Sequence, residues 1–244
     1  MPSVRAAVGR LLPERLRQRL RVTAARTFET FGSHRYSSPG LRGLDAKVRS
    51  HLGTRPGVFL EIGANDGYDQ SNTYYLERVL GWRGILIEPI PRLYEAARRL
   101  RKRSTVYQRA CVGPGGPTTI DIVDVGLMSV ALGLQDAEEQ DSRVARGRRT
   151  ARRYSVPTAT LSDLIDEAGE TGIDFMSVDV EGAEFEVLRG LDLSRHAPAY
   201  LLVETKHPDR ISELLGDRLE LVEQLTEHDY LFRRSGTHPG TQRD

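Results

Sequence analysis

Short apolar runs alternate along the middle of the chain with segments of helical periodicity. Val58–Ile62 is apolar apart from one glutamate, which is typical of a strand buried on both faces. Comparable runs predict strands or extended segments at 84–87, 105–107, 156–160, 175–180 and 200–203, and helices at 72–80, 92–102, 161–168, 183–188 and 210–215. Because strands alternate with helices of this length, the pattern predicts an α/β fold that is doubly wound around a mostly parallel sheet.

The boundaries of this region carry their own signals. Thr160 and Asp163 match the capping-box pattern and predict a helix start at Leu161. Segments 219–225 and 230–233 predict a closing antiparallel hairpin. We therefore divide the chain into an N-terminal helical extension (1–50), a main domain (51–234) and a flexible tail (235–244).

The N-terminal extension predicts a basic amphipathic helix. Leu12, Leu16 and Leu20 recur at i, i+4 spacing, and residues 1–30 hold seven arginines against two glutamates. Two interpretations stay open. The leucine stripe packs on its own domain or on a second copy in a homodimer, or the helix lies on an anionic membrane surface or another partner.

Residues 135–153 begin acidic, turn basic and lack apolar periodicity. This pattern predicts a mobile loop or a lid over a site. A nucleic-acid surface interleaves aromatic residues with its arginines, and here only Tyr154 is near, so we expect no nucleic-acid partner.

Composition narrows the class of protein further. The chain has 244 residues and a net charge of +1, so its global charge favours no particular partner. Its only cysteine is Cys111, which excludes an intrachain disulfide. The N-terminal apolar run is broken by charges, unlike the core of a secretory signal, and we expect a cytoplasmic protein.

The strongest local motif is Glu61-Ile62-Gly63-Ala64-Asn65-Asp66-Gly67, between a predicted strand and a predicted helix. We expect Gly63 to turn the chain sharply and Gly67 to let the backbone approach a ligand. The motif lacks both the GxGxxG pyrophosphate pattern and the lysine of a P-loop.

An acidic residue ends the next strand. Glu88 lies 21 positions after Gly67 and precedes Pro89. In nucleotide-binding α/β folds an acid at this place accepts both hydroxyl protons of a ribose, so we expect Glu88 to hold a ribose diol.

Two later strand ends also carry candidate chemistry. Strand periodicity predicts that Asp179 and Glu181 lie on one side, where they would position a cofactor ammonium, hold a metal or take a proton. Glu204 and His207 follow the next strand. The pKa of histidine lies near working pH, so His207 is a candidate base, with Glu204 as its orienting partner.

Four segments in this order resemble the FkbM-family methyltransferases: EIGANDG, ILIEP, SVDVEGAEFEVLRG and LLVETKHP. These are class I enzymes that use S-adenosylmethionine, and the resemblance covers about residues 57–234. It implies a seven-stranded sheet with a final antiparallel strand. It also implies a cofactor site made by Glu61, Gly63, Asn65, Asp66, Gly67, Ser71, Asn72, Glu88, Pro89, Ala110, Cys111 and Asp179.

The resemblance implies an O-methyltransferase that acts on a hydroxyl of a sugar, glycolipid or secondary metabolite. The candidate catalytic residues are His207, Asp179, Glu181 and Glu204. A magnesium ion bridging Asp179 and Glu204 is one variant, because a metal lowers the pKa of an alcohol. The alternative is a methyltransferase-like protein that binds the cofactor or a membrane surface without catalysis.

Overall fold

A seven-stranded sheet forms the centre of the computed structural model, which describes residues 14–124, 130–131 and 152–236. The strands are β1 (Val58–Ile62), β2 (Arg83–Ile87), β3 (Ser104–Tyr107), β4 (Ala110–Cys111), β5 (Thr119–Asp124), β6 (Val130–Ala131), β7 (Arg152–Ala159), β8 (Phe175–Val178), β9 (Tyr200–Glu204), β10 (Leu219–Gln224) and β11 (Asp229–Arg234). The helices are α1 (Glu14–Thr30), α2 (Leu44–Arg49), α3 (Tyr74–Arg78), α4 (Pro91–Leu100), α5 (Leu161–Glu167), α6 (Glu184–Arg189), α7 (Leu193–His196) and α8 (Pro208–Leu215).

The main sheet has the order β10–β11–β9–β8–β1–β2–β3. Strands β3, β2, β1, β8 and β9 are parallel, and β11 is antiparallel to both β9 and β10. This arrangement confirms the predicted doubly wound α/β fold and its closing hairpin. The chain runs from β1 outward in one direction and later returns to the other side of β1, so a topological switch point lies between β1 and β8.

A second sheet, in the order β4–β7–β5–β6, was not predicted from the sequence. Ile120 and Ile122 of β5 are buried and pack with Ile90 and Leu93 beside the main sheet. The predicted loop 135–153 lies outside the described residues except for its last two, which belong to β7. Of the predicted tail, residues 237–244 also lie outside them.

Helix α1 packs on the main domain through a face that combines ion-pairing residues with the buried Ala25 and the partly buried Val22. Arg21 donates to Asp69 at 2.8 Å, and Glu29 accepts from Arg78 at 2.9 Å. Leu16 and Leu20 lie on the opposite face and are 42% and 51% exposed. The interpretation that the leucine stripe packs on its own domain is therefore wrong for these two residues, whereas Leu12 lies outside the described residues. Among the helices that the structure describes, none combines the length and apolarity needed to cross a bilayer.

The segment after β1 is shaped by a carboxylate in that strand. Glu61 accepts from the Ser71 hydroxyl at 2.9 Å, the Asn72 backbone N–H at 2.8 Å and the Thr73 hydroxyl at 2.7 Å. These bonds fix residues 71–73 against β1, and α3 begins at Tyr74 rather than at the predicted residue 72. The helix start at Leu161 is as predicted, with both capping-box hydrogen bonds present.

Arg101, at the end of α4, is the buried cation that balances these acids. Its side chain is fully buried, donates to Glu77 at 2.9 Å and lies 3.6 Å from Glu61. It also donates to the Gly67 carbonyl at 3.1 Å and the Thr73 hydroxyl at 2.8 Å. One guanidinium thus ties both ends of segment 67–73 to β1 and α3.

We expect Arg101→Met to lower the free energy of unfolding by about 3–5 kcal/mol, because two carboxylates would stay buried without their cation. Urea denaturation measures the change. Arg98→Met on the same helix is the matched control: its side chain is 56% exposed and pairs with Glu95, so we expect a loss below about 1 kcal/mol. Equal losses in the two variants would contradict the role of Arg101.

Candidate functional site

A cavity of about 340 Å³ opens at the carboxyl edge of the main sheet, beside the switch point between β1 and β8. Ligands of open α/β sheets bind at this place. Residues from four strand ends and from the loops that follow them line it, and the predicted site residues among them are Glu61, Gly63, Asn65, Ser71, Asn72, Glu88, Pro89, Ala110, Cys111, Asp179, Glu181 and Glu204.

The strand register explains why these residues meet. Ile62 pairs with Ile87 on one side and with Val178 on the other, and Val178 pairs with Val203. The next residue along each strand therefore forms a row across the edge of the sheet: Glu88, Gly63, Asp179 and Glu204. Neighbouring strands lie about 4.8 Å apart, so the backbones of Glu88 and Asp179 are separated by about 10 Å.

Gly63 allows two backbone segments to come close together at the centre of this row. It has a φ of +81°, and a Cβ built there would lie 1.9 Å from the backbone oxygen of Asp179. The backbone N–H groups of Gly63 and Ala64 both donate to the Ile87 carbonyl at 3.1 Å. The sharp turn predicted at Gly63 is therefore present, and the close approach of the Asp179 backbone explains why this position requires a glycine.

Glu88 forms one end of the row and is almost completely buried. Its two oxygens accept from the backbone N–H groups of Asn65 and Ile90, both at 2.9 Å. Burial raises the pKa of Glu88 to about 8, although these two hydrogen bonds oppose the shift. Each carboxylate oxygen keeps a further lone pair, so Glu88 can also accept from two hydroxyls of a ligand.

Carboxylates crowd the other end of the row. Burial, the charges of Glu204, Glu181 and Glu184, and a hydrogen bond with Glu204 raise the pKa of Asp179 well above its usual range. Burial also raises the pKa of Glu184 to about 7. These carboxyl groups therefore hold protons more tightly than ordinary acids, and a cationic ligand beside them would lower their pKa values.

The placement of Glu181 has a different cause from the predicted one. Strand β8 ends at Val178, so the alternation of a strand does not extend to this residue. Instead the chain turns through left-handed backbone at Glu181 (φ +58°) and Gly182 (φ +105°). The turn still leaves both Asp179 and Glu181 in the cavity lining.

The side chain of Asn72 has an unpaired hydrogen-bond acceptor, which indicates a ligand-binding position. The residue is 8% exposed, and its Nδ2 donates to the Ser177 hydroxyl at 3.2 Å. Its Oδ1 is buried without a hydrogen-bond partner. Because an unpaired buried acceptor is costly, a donor from a molecule in the cavity would stabilise it.

Three predicted residues have other surroundings than expected. Asp66 and Gly67 do not line the cavity. Asp66 accepts from the backbone N–H groups of Tyr68 and Asp69, which closes a local turn. A Cβ on Gly67 would lie 3.0 Å from Ala97 and Arg101, so this glycine admits α4 rather than a ligand.

His207 is likewise absent from the cavity lining. It is exposed and precedes the first residue of α8, with its backbone N–H donating to the Thr205 hydroxyl at 3.1 Å. The chain turns away from the edge of the sheet after Glu204 to begin this helix. The structure therefore gives no support to His207 as the base.

Sequence reasoning missed several parts of the wall. The small second sheet supplies Ile122, and α4 supplies Leu93. The N-terminal extension supplies Leu41, next to a β-bridge between Gly40 and Gln70. No local motif marks these positions, because each reaches the cavity only through long-range packing.

The residues that the structure describes include no group of three or more histidine, cysteine, aspartate or glutamate side chains that could hold an ion. The magnesium bridge between Asp179 and Glu204 would rest on two carboxylates and stays a prediction, and we derive no step through a metal.

Comparison with known proteins places the chain in context. A family model described as "Methyltransferase FkbM domain" matches residues 61–232. No curated protein matches the chain.

Solved structures resemble the chain at low identity. A methyltransferase FkbM from Methylobacillus flagellatus KT is 18% identical with a TM-score of 0.49, over 85% of this chain and 52% of that chain. A TehB-like SAM-dependent methyltransferase from Corynebacterium glutamicum ATCC 13032 is 12% identical with a TM-score of 0.39, over 88% of this chain and 96% of that chain. The chain spans about half the length of the Methylobacillus structure.

The raised pKa of Glu88 makes stability depend on pH. Between the ordinary pKa of 4.5 and the raised pKa of about 8, the folded chain holds a proton that the unfolded chain has released. Stability therefore falls as the pH rises through this range. We expect thermal melts to show a Tm that declines with rising pH. The decline should be shallower in Glu88→Gln, where only the raised pKa values of Glu184 and Asp179 still contribute to it. Parallel curves for the two proteins would rule the assignment out.

Proposed function

Because the chain belongs to the FkbM methyltransferase family, we propose that it transfers a methyl group from S-adenosylmethionine to a hydroxyl of a sugar, glycolipid or secondary metabolite. The observation that carries the proposal is the row at the edge of the sheet. A buried acceptor of hydroxyl donors lies at one end, a cluster of carboxylates lies at the other, and a glycine turn separates them.

The cavity residues fit the cofactor at both ends. Glu88 would accept from the ribose hydroxyls, with Pro89, Ala110 and Cys111 beside it in the cavity lining. Asn72 offers an unpaired acceptor to the cofactor's ammonium. When bound, S-adenosylmethionine supplies an electrophilic methyl group on a positively charged sulfonium.

Asp179 is the base in this proposal. A neutral hydroxyl becomes a better nucleophile as it loses its proton, and a carboxylate within hydrogen-bond reach can take that proton. Burial and the neighbouring carboxylates raise the pKa of Asp179, which makes it a stronger proton acceptor than an ordinary aspartate. The positive charge of a bound sulfonium would lower the pKa of Asp179 and favour the ionised form that accepts the proton.

Glu204 and Glu181 act on Asp179 and on the acceptor. A protonated Glu204 would donate to the ionised Asp179 and orient the base, and the register of β8 and β9 holds the two side by side. Glu181 lines the same cavity and can accept from a second hydroxyl of a sugar-like acceptor. The chain's own residues thus orient the acceptor and move its proton.

Calorimetric titration with S-adenosylhomocysteine tests the cofactor site. We expect one binding site in the wild-type protein, and binding about tenfold weaker or more in Glu88→Gln, because the amide keeps only one acceptor oxygen for the two ribose hydroxyls. His207→Ala is the control and should bind like the wild type, since this residue does not line the cavity. Absence of binding to the folded wild type would refute the proposal. An affinity that increases with magnesium would support the predicted bridge between Asp179 and Glu204.

Transfer of a labelled methyl group tests the reaction. We expect transfer from S-adenosylmethionine to members of a panel of hydroxylated glycans and glycolipids. Asp179→Asn should lower the turnover by about 10²- to 10⁴-fold, the usual contribution of a general base, with a far smaller change in S-adenosylhomocysteine affinity. His207→Ala should keep its turnover.

Two results would redirect the assignment. Transfer to amines or thiols alone, with none to hydroxyls, would show that the acceptor atom is wrong. Cofactor binding with no transfer to any acceptor class would favour the non-catalytic alternative.

A further inference from the structure

Exposed large apolar side chains concentrate in the N-terminal extension. Eight occur among the residues whose side chains the structure describes, and six of them lie between residues 16 and 41: Leu16, Leu20, Phe28, Phe31, Tyr36 and Leu41. Phe31 is 85% exposed, although burying an apolar ring of this size is usually favourable in free energy. Clustering of this kind marks an interaction surface rather than the scattered apolar residues of an ordinary exterior.

The face of α1 that carries the leucines is exposed because the opposite face packs against the main domain. Arg21 and Gln18 contact Asp69, and Ala25 is completely buried with Tyr68. At 100° per residue, Leu16 and Leu20 lie on the far side of the helix from these contacts.

Basic side chains border the exposed leucines. Residues 14–42 hold seven arginines and two glutamates, whereas the whole chain has a net charge of only +1. Arg19 and Arg26 are exposed next to the leucine side of α1, and neither has an ion-pair partner among the side chains that the structure describes. Of the two glutamates, Glu29 forms an ion pair with Arg78. The extension is therefore a positive, apolar surface on a chain whose remainder is net negative.

We propose that the outward side of α1, with Phe31 and Tyr36 beyond its end, docks on an anionic lipid surface. An interfacial helix places its apolar side chains at the boundary of the acyl chains and its arginines among the headgroups. Leucine, phenylalanine and arginine are arranged here in that way. A second copy of this chain is a weaker occupant, because two such faces would bring like charges together.

The docking surface is fixed to the cavity rather than tethered loosely. The Tyr68 hydroxyl donates to the Tyr36 carbonyl at 2.7 Å, and Gly40 forms a β-bridge with Gln70. Gln70 and the neighbouring Leu41 both line the cavity. Docking on lipid would thus hold one wall of the cavity close to the bilayer.

Vesicle sedimentation with the full chain tests the proposal. The probes are phosphatidylcholine vesicles and vesicles that also contain phosphatidylglycerol. We expect retention on the anionic vesicles alone and a loss of retention as salt rises. Arg19→Glu with Arg26→Glu should weaken binding about fivefold or more for each arginine. Leu16→Ser with Leu20→Ser should weaken it about tenfold or more.

A matched control lies elsewhere on the chain. Leu221 and Val222 in β10 are 50% and 38% exposed, so Leu221→Ser with Val222→Ser removes similar apolar area outside the proposed surface. We expect this variant to sediment like the wild type. Thermal melts establish that each variant is folded before its binding is compared.

Three outcomes would overturn the proposal: no retention on anionic vesicles, equal retention on neutral vesicles, or equal loss in the β10 control. Sedimentation velocity identifies the competing occupant. A wild-type dimer that Leu16→Ser with Leu20→Ser converts to monomer, without vesicle binding, would assign this face to a second copy of the chain. None of these outcomes depends on methyl transfer.

Discussion

Parallel pairing without a register shift is the constraint on which the site depends. Because Ile87, Ile62, Val178 and Val203 are paired in one register across four strands, the residues that follow them fall into one line. A slip of one residue in any pair would point the side chain at that place to the other face of the sheet. The glycine between the two acidic ends is required by the same geometry, since the β8 backbone occupies the space of a Cβ.

Buried charge stabilises the loop that closes this line. Glu61 and Glu77 are almost fully buried, which is unfavourable for carboxylates unless a cation and hydrogen bonds compensate. Arg101 supplies the cation, and the hydroxyls of Ser71 and Thr73 supply further bonds. The extension presses on the same loop from outside through Asp69 and Tyr68. The cavity wall is thus held between two sets of polar contacts.

The sequence predicted the parts of the fold that local pattern determines. The apolar runs located every strand of the parallel sheet, and the strand ends located Glu88, Asp179 and Glu204 in the cavity lining. The assignments that failed depend on distant partners. The motif predicts that the backbone at Gly67 approaches a ligand, whereas the space beside this glycine is occupied by α4. Periodicity found the leucine stripe of α1, but the opposite face, with its ion pairs and the buried Ala25, was the one that packed.

The extension supplies one wall of the cavity from outside the domain that holds the row at the sheet edge. Leu41 lies ahead of the region that the family model matches, whereas the carboxylate row lies inside it. A substitution at this leucine would change one wall of the cavity without altering a residue of the row at the sheet edge. If the proposed reaction is right, we expect such a substitution to change which acceptors bind more than it changes the rate of transfer.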